Sequence, residues 1–271
     1  MDVIGLNFVY SLKDLWPLIF IVIGVNIIFD KIPIVKSLMW VILIVILILY
    51  STYDLDLNST KFVSEYETGF YEVKKVDNID KGSLRMELPA GSLKIDSTSE
   101  KSFNAKYPKG YARITDVTTS DMLSINLIPQ KNGDFIIGAK NNEIDLELDD
   151  KLAWDIVYDG AFLDAGIDMR ENKLDSLDID IAFSNVDIRL GDNQEKSDIS
   201  IDSAFSNTTI HVPSTTGVKV IFNGAIKNMD IDMTQWEKTE NIYRTKNYSQ
   251  ADEFLIVNIN CAIGNVEIIR E

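Results

Sequence analysis

One cysteine and one histidine are all the thiol and imidazole that 271 residues offer. A lone cysteine permits no intrachain disulfide, so nothing staples the chain from within. There is no paired-ligand spacing for a metal, and no serine or cysteine nucleophile motif comes with a histidine. A glycine-rich loop to cradle phosphate is also missing. Charge is scarce at the start: the stretch through Tyr53 holds three lysines and three aspartates, so the whole formal charge of −16 lies from Asp54 onward. A region this acidic does not bind nucleic acid through its overall field. It fits basic partners, cations, or solubility alone.

What is there in abundance is repetition. Five segments share one core: AFLDAGIDM from Ala161, AFSNVDIRL from Ala182, AFSNTTIHV from Ala204, AIKNMDIDM from Ala225 and AIGNVEIIR from Ala262. Successive alanines lie 21, 22, 21 and 37 residues apart. Six residues after each alanine stands isoleucine: Ile167, Ile188, Ile210, Ile231 and Ile268. Offsets four and eight are mostly apolar as well, with Arg270 breaking the run at the C-terminus. Strand side chains alternate between faces, so offsets four, six and eight share a buried face. Asp187, Arg189, Thr209, His211, Asp230 and Asp232 fall on the wet one.

The alternation runs backward from the alanines too. Leu177, Ile179 and Ile181 interleave with Asp178 and Asp180, and Val218, Val220 and Phe222 occupy matching places in a later copy. Each copy therefore reads as two short strands joined at an Ala-Phe or Ala-Ile corner and closed by turns at 191–193 and 214–217. A fixed period with this pattern predicts a single-stranded β-solenoid with coils of about 21 residues, each stacked on its neighbours. Solenoids of this kind serve as surfaces and spacers, which argues for recognition over chemistry.

The 37-residue gap places an insertion near 234–252. It is polar but carries Trp236, Tyr243 and Tyr248, the candidate partner contacts of this chain. The same aromatics suit, and more simply, a side hairpin that packs on its own base. Cys261 aligns with inward Ile181 and reads as a buried thiol; His211 reads as a solvated surface residue. Asp178, Asp180, Asp187, Asp230 and Asp232 could be arranged for polysaccharide cleavage. They sit instead on regular outward offsets, as solvated faces do, so no catalytic residue, cofactor or metal is expected. Calcium on stacked aspartates lacks its glycine-rich nonapeptide signature.

Two apolar runs precede the β region, about 15–35 and 37–53. Neither has a polar face, no basic leader or small-residue cleavage site accompanies them, and Trp16, Trp40, Tyr50 and Tyr53 are candidate interfacial anchors. Residues 1–53 therefore read as a transmembrane helical hairpin, with 54–271 as the β domain. Lys31 and Lys36 in the connection place it in the cytoplasm by the positive-inside rule, and the β domain outside. Between the two, residues 60–159 are rich in alternating segments without a clean period. Residues 83–96 resemble a degenerate coil, Asn132-Gly133 looks like a hairpin turn, and the remainder reads as first coils plus a cap. A basic-aromatic patch at 101–113, with Lys106, Tyr107, Lys109 and Tyr111, suits either an anionic surface or the protection of a strand edge.

The run L-W-P-L-I-F-I-V-I-G-V from Leu15 resembles the W-P-apolar-I-G signature of Lia-type membrane regions. The Ala/Gly-x-x-Asn-hydrophobic-Asp-Ile rhythm and the Val212-Pro213 strand ending resemble the toast-rack domain of LiaF-like bacterial proteins. That resemblance covers nearly the whole chain. It implies a multi-pass bacterial membrane protein of the cell-envelope stress response that works by contact with a sensor kinase or another envelope component. It departs from the LiaF type in showing two apolar runs where four helices are common. A structural or adhesin-like surface solenoid is the alternative. Neither reading fixes the oligomeric state.

Overall fold

Alternating apolar residues become strands throughout the region described by the computed structural model, residues 67–130 and 143–271. In chain order these are β1 (Thr68–Lys74), β2 (Lys81–Glu87), β3 (Ala90–Thr98), β4 (Lys101–Pro108), β5 (Ala112–Thr118), β6 (Met122–Pro129) and β7 (Glu143–Asp149). The long strands β8 (Ala153–Met169), β9 (Lys173–Leu190) and β10 (Lys196–Val212) follow. After them come β11 (Gly217–Asn223), β12 (Ile226–Asp230), β13 (Trp236–Thr239), β14 (Ile242–Thr245) and β15 (Phe254–Arg270). All described residues fall within one unit, Val63–Glu271. The apolar runs at 15–35 and 37–53 and the Asn132-Gly133 turn lie outside the described residues, among which no helix is long and apolar enough to cross a membrane.

Each long strand bends at its alanine. In β9, Leu177, Ile179 and Ile181 point inward before the bend; Ser184, Val186 and Ile188 do so after it. The step from Ile181 to Ser184 is three residues, not two, so the corner keeps the same face inward on both legs. β10 and β15 repeat this, the latter passing from Cys261 to Gly264. The two legs thus close over one continuous apolar core in which Ile188, Ile210, Val220, Ile156 and Ile201 have no exposure. Burying each such side chain contributes about 1.5–3 kcal/mol. Turns close each coil, and turn side chains donate across rungs. Asn172 donates to the carbonyls of Leu148 and Asp149, both at 3.0 Å, and Asn193 donates to that of Arg170 at 2.5 Å.

Parallel pairing stacks the rungs in the order β6/β7, β2/β3, β8, β9, β10, β15, β11/β12. The unit at 83–96 is indeed a coil, β2/β3, pairing with both legs of β8. Spatial order departs from sequence order at both ends. The last repeat, β15, does not follow the fourth; it inserts between β10 and β11/β12, so Phe205 and Ile226 both pair with Ile263. The extra residues in the long gap carry the chain back to that slot.

Reversals cover both legs at the N-terminal end of the stack and the β11 leg at the other, where β12 pairs with β15 alone. β4 runs antiparallel on β7 and β1 on β4; β5 runs antiparallel on β6; β14 runs antiparallel on β11 and β13 on β14. These caps occupy edges that would otherwise template further strands. The lysines at 101–113 belong to this cap. Lys101 pairs with Glu72 at 2.7 Å, Lys106 with Asp145 at 3.0 Å and Lys109 with Glu67 at 2.6 Å, and Tyr111 is buried. The three lysines are thereby matched within the chain.

Candidate functional site

The corner produces an exposed apolar stripe. Because the inward positions flank it on both sides, the alanine and the residue after it must face outward. In three successive rungs that residue is phenylalanine: Phe162, Phe183 and Phe205, 41–42% exposed. Phe162 and Phe183 stack with centroids 4.9 Å apart and planes 5° from parallel; Phe183 and Phe205 stack at 5.0 Å and 1°. Ile263 and Ile226 extend the row, both exposed. The row of corner alanines runs beside it, lower by the difference between a methyl and a phenyl group.

Two polar ladders border the stripe. Three residues after the alanines, Asn228 donates to Asn265 at 2.6 Å, Asn265 to Asn207 at 3.1 Å, Asn207 to Asn185 at 2.8 Å and Asn185 to Asp164 at 2.8 Å. Two residues before them, Asn241 donates to Asn223, Asn223 to Asn260 at 2.8 Å and Asn260 to Asp202 at 2.8 Å. Both ladders run toward the N-terminal rungs and end on a carboxylate, which only accepts. That fixes the direction of every amide. Beyond Asp202 the second row continues as Asp180, Asp159 and Glu87 in register. This flank of the stripe is anionic. Beside it Asp178 is held above the ordinary carboxylate range, first by desolvation and then by repulsion from Asp202 and Asp180.

The aromatic residues of the insertion lie elsewhere. Residues 236–245 form the β13–β14 hairpin, with Trp236 3% and Tyr243 6% exposed, so their rings pack within their own unit. Lys238 stands 4.9 Å over the Tyr243 ring. Tyr248 is half-buried, edge-on to Phe254 at 5.4 Å and capped by Arg244 at 5.2 Å. Arg270, at an inward offset, donates to Gln235 at 3.0 Å and to the Ser214 and Thr216 carbonyls, tying the hairpin to the closing turn. These contacts serve the chain itself. The signal that points instead to the corner is sequence-legible: a large aromatic at outward parity in three consecutive copies.

His211 is less solvated than its outward offset implies. Its side chain is 17% exposed, between Arg189 and Ile269 in register, and hydrogen-bonds Glu271 at 2.7 Å. Cys261 is a buried free thiol, its pKa pushed up by that burial. A shallow depression of about 310 Å³ lies over Gly166, lined by Lys94, Asp96, Asp168, Asp187 and Arg189. Its charges already pair locally, Lys94 with Asp96 and Arg189 with Asp187. Among the described residues no group of three or more His, Cys, Asp or Glu side chains is placed to hold a metal ion.

Residues 60–211 match the family described as the N-terminal domain of toast_rack, DUF2154. No curated protein matches the sequence. Among solved structures, the chain is similar to a candidate cell adhesion protein from Clostridium sporogenes ATCC 15579, at 21% identity and a TM-score of 0.62. That match covers 76% of this chain and 99% of the other. A candidate adhesin from Bacteroides fragilis NCTC 9343 aligns over 75% of this chain and 96% of its own. Its identity is 9% and its TM-score of 0.31 is too low to relate the folds.

Proposed function

Since the chain belongs to the toast-rack family, we propose that it is a bacterial membrane-anchored sensor or regulator of the cell-envelope stress response, acting by protein contact and not by catalysis. The observation that carries this reading is the corner stripe. Five rungs present a continuous apolar row, bordered on one side by an asparagine ladder and on the other by amides that give way to carboxylates. Exposed contiguous apolar surface of this kind marks an interaction site. The apolar runs at 15–35 and 37–53 supply the bilayer anchor in this reading, with the β domain outside the cytoplasm and a sensor kinase or another envelope component as partner. No cofactor enters.

A surface adhesin-like role is the second reading, favoured by the similarity to the candidate cell adhesion protein from Clostridium sporogenes. Deletion of the chain separates the two. An altered envelope-stress reporter response to a wall-active antibiotic supports the regulator. An unchanged reporter with reduced surface attachment supports the adhesin. Protease treatment of intact against lysed cells then tests the sidedness: digestion in intact cells is expected, and protection until lysis would place the domain in the cytoplasm.

A further inference from the structure

We propose that the corner stripe is a docking site for a basic amphipathic helix of a protein partner. The apolar side of that helix lies on the Phe162–Phe183–Phe205 row, and its lysines or arginines face the Asp159–Asp180–Asp202 row. This rests on reading the chain as a contact module and names the chemistry of what it contacts.

Four features converge on that occupant. First, the part of the stripe from Phe162 to Ile263 lies across β8, β9, β10 and β15, each already paired on both sides. An added strand has no open edge to pair with along the Phe162–Phe183–Phe205 row, so a partner lying on that row brings a self-satisfied backbone and binds through side chains. A helix does this.

Second, the near-parallel stacking of the phenyl rings occupies their faces and leaves edges outward. A sugar stacks on ring faces, so the row is poorly built for polysaccharide. It is well built for aliphatic side chains lying across the row of outward ring edges.

Third, the repeat distances agree. Rungs recur about every 4.8 Å, near the 5.4 Å pitch of an α-helix. A helix laid along the stack therefore offers roughly one apolar side chain per rung across the stripe.

Fourth, the charge is one-sided. The pre-corner flank presents Asp159, Asp180 and Asp202 in register, and the ion pair on this row is that of Arg85 with Glu87, at its far end. The opposite flank is the asparagine ladder, closed upon itself and neutral except at Asp164. A partner whose cations lie to one side of its apolar stripe fits in one orientation.

The test uses the full chain in detergent micelles and a labelled leucine–lysine peptide patterned for a helix with one apolar stripe, compared with a scrambled peptide of the same composition. The patterned peptide is expected to bind. Phe183→Ser is expected to weaken it about tenfold, as loss of a central aromatic contact does. Asp180→Lys with Asp202→Lys is expected to weaken it comparably and to flatten its salt dependence. The double variant leaves the rings in place, so it stays informative should Phe183→Ser disturb the fold.

Equal binding of the scrambled peptide, or binding indifferent to both variants, overturns the proposal. So does occupancy of the stripe by a second copy, seen as self-association in sedimentation that Phe183→Ser abolishes, or by anionic vesicles with no peptide preference. The stress-reporter experiment fails independently. Peptide binding that follows the variants while the reporter is silent keeps the helix site and discards the regulatory role.

Discussion

Gly264 sits across the corner from Cys261, so close that a Cβ on the glycine would come within 2.4 Å of the cysteine sulfur. The corresponding inward pairs in the other long strands are Gly160 with Leu163, Ile181 with Ser184, and Ser203 with Ser206. Where one side of the corner is large the other is small, and β10 splits the volume between two serines. The bend can hold only about one large side chain per rung. Gly264→Ala should therefore destabilise the domain by about 1–3 kcal/mol, as overpacking does. Cys261→Ala in that background should recover part of the loss, the remainder lying with the Phe222 ring, 3.0 Å from the same Cβ. Urea unfolding of the two single variants and the double variant measures the coupling. Additive effects would sink the idea of a shared volume.

The asparagine ladder makes a second prediction. Asn207 both donates to Asn185 at 2.8 Å and accepts from Asn265 at 3.1 Å. Asn207→Ala breaks the ladder in the middle and leaves an acceptor on one side and a donor on the other to water. Because the site is exposed, the loss should stay near 1 kcal/mol, at about 0.5 kcal/mol per bond. Asn207→Asp should cost more, since a carboxylate cannot donate to Asn185 and adds negative charge to a row ending at Asp164. Thermal melts of both variants decide the order.

The core predicts a larger effect. Ile188 is fully buried between Ile167 and Ile210 in register. Ile188→Asp places a carboxylate where no cation or donor can meet it, and the resulting penalty of several kcal/mol exceeds what the two flanking rungs can absorb. Loss of the cooperative melt is expected. A variant that melted like the parent would contradict the inward assignment of the whole row.

Asp178 should impose a pH dependence of known sign. Its folded-state pKa lies above the ordinary value, so the native state binds this proton more tightly than the unfolded chain does. The ionised group therefore penalises folding above that raised pKa, and the penalty is relieved as pH falls through it. Asp178→Asn should stabilise the domain near neutral pH, within about 0.5 kcal/mol at so exposed a position. The gain should vanish in acid. A gain of the same size at both pH values would point to a cause other than charge.

Much of this was legible in the spacing of the alanines. The inward rows at offsets four, six and eight, the corner itself, the buried place of Cys261 and the degenerate coil at 83–96 all follow from alternation and period. The order of the rungs does not follow. Rungs built from the same residues at the same offsets pair equally well with any neighbour, so a period specifies register and leaves adjacency open. The choice between docking and packing for Trp236 and Tyr243 stayed open for a related reason: their strands are four residues long, too short for parity to mark a face. The phenyl row was in plain view as part of the repeat. Counting back from offset four gives the phenylalanine outward parity, and the three-residue step at the bend adds the alanine beside it on the outside.

Strand β15 makes the strongest demand on the fold. Ala204 and Ala225 are 21 residues apart, the same as rungs that touch, yet β15 lies between them and pairs with both. Residues 213–216 must therefore span two rung spacings, roughly 9.6 Å, within reach of four extended residues. Arg270, on β15, donates to the Ser214 and Thr216 carbonyls in that same link. The last strand thus holds open the slot that it fills. A chain ending before Phe254 should lose cooperative unfolding, because β10 and β11 present inward rows with no partner between them and a link set for a wider gap. A synthetic peptide of residues 253–271, added in trans, should restore the β signal and a sharp melt. If the truncated chain instead melts as cooperatively as the parent, β10 and β11/β12 have closed directly on one another, and β15 is an insertion that the stack can do without.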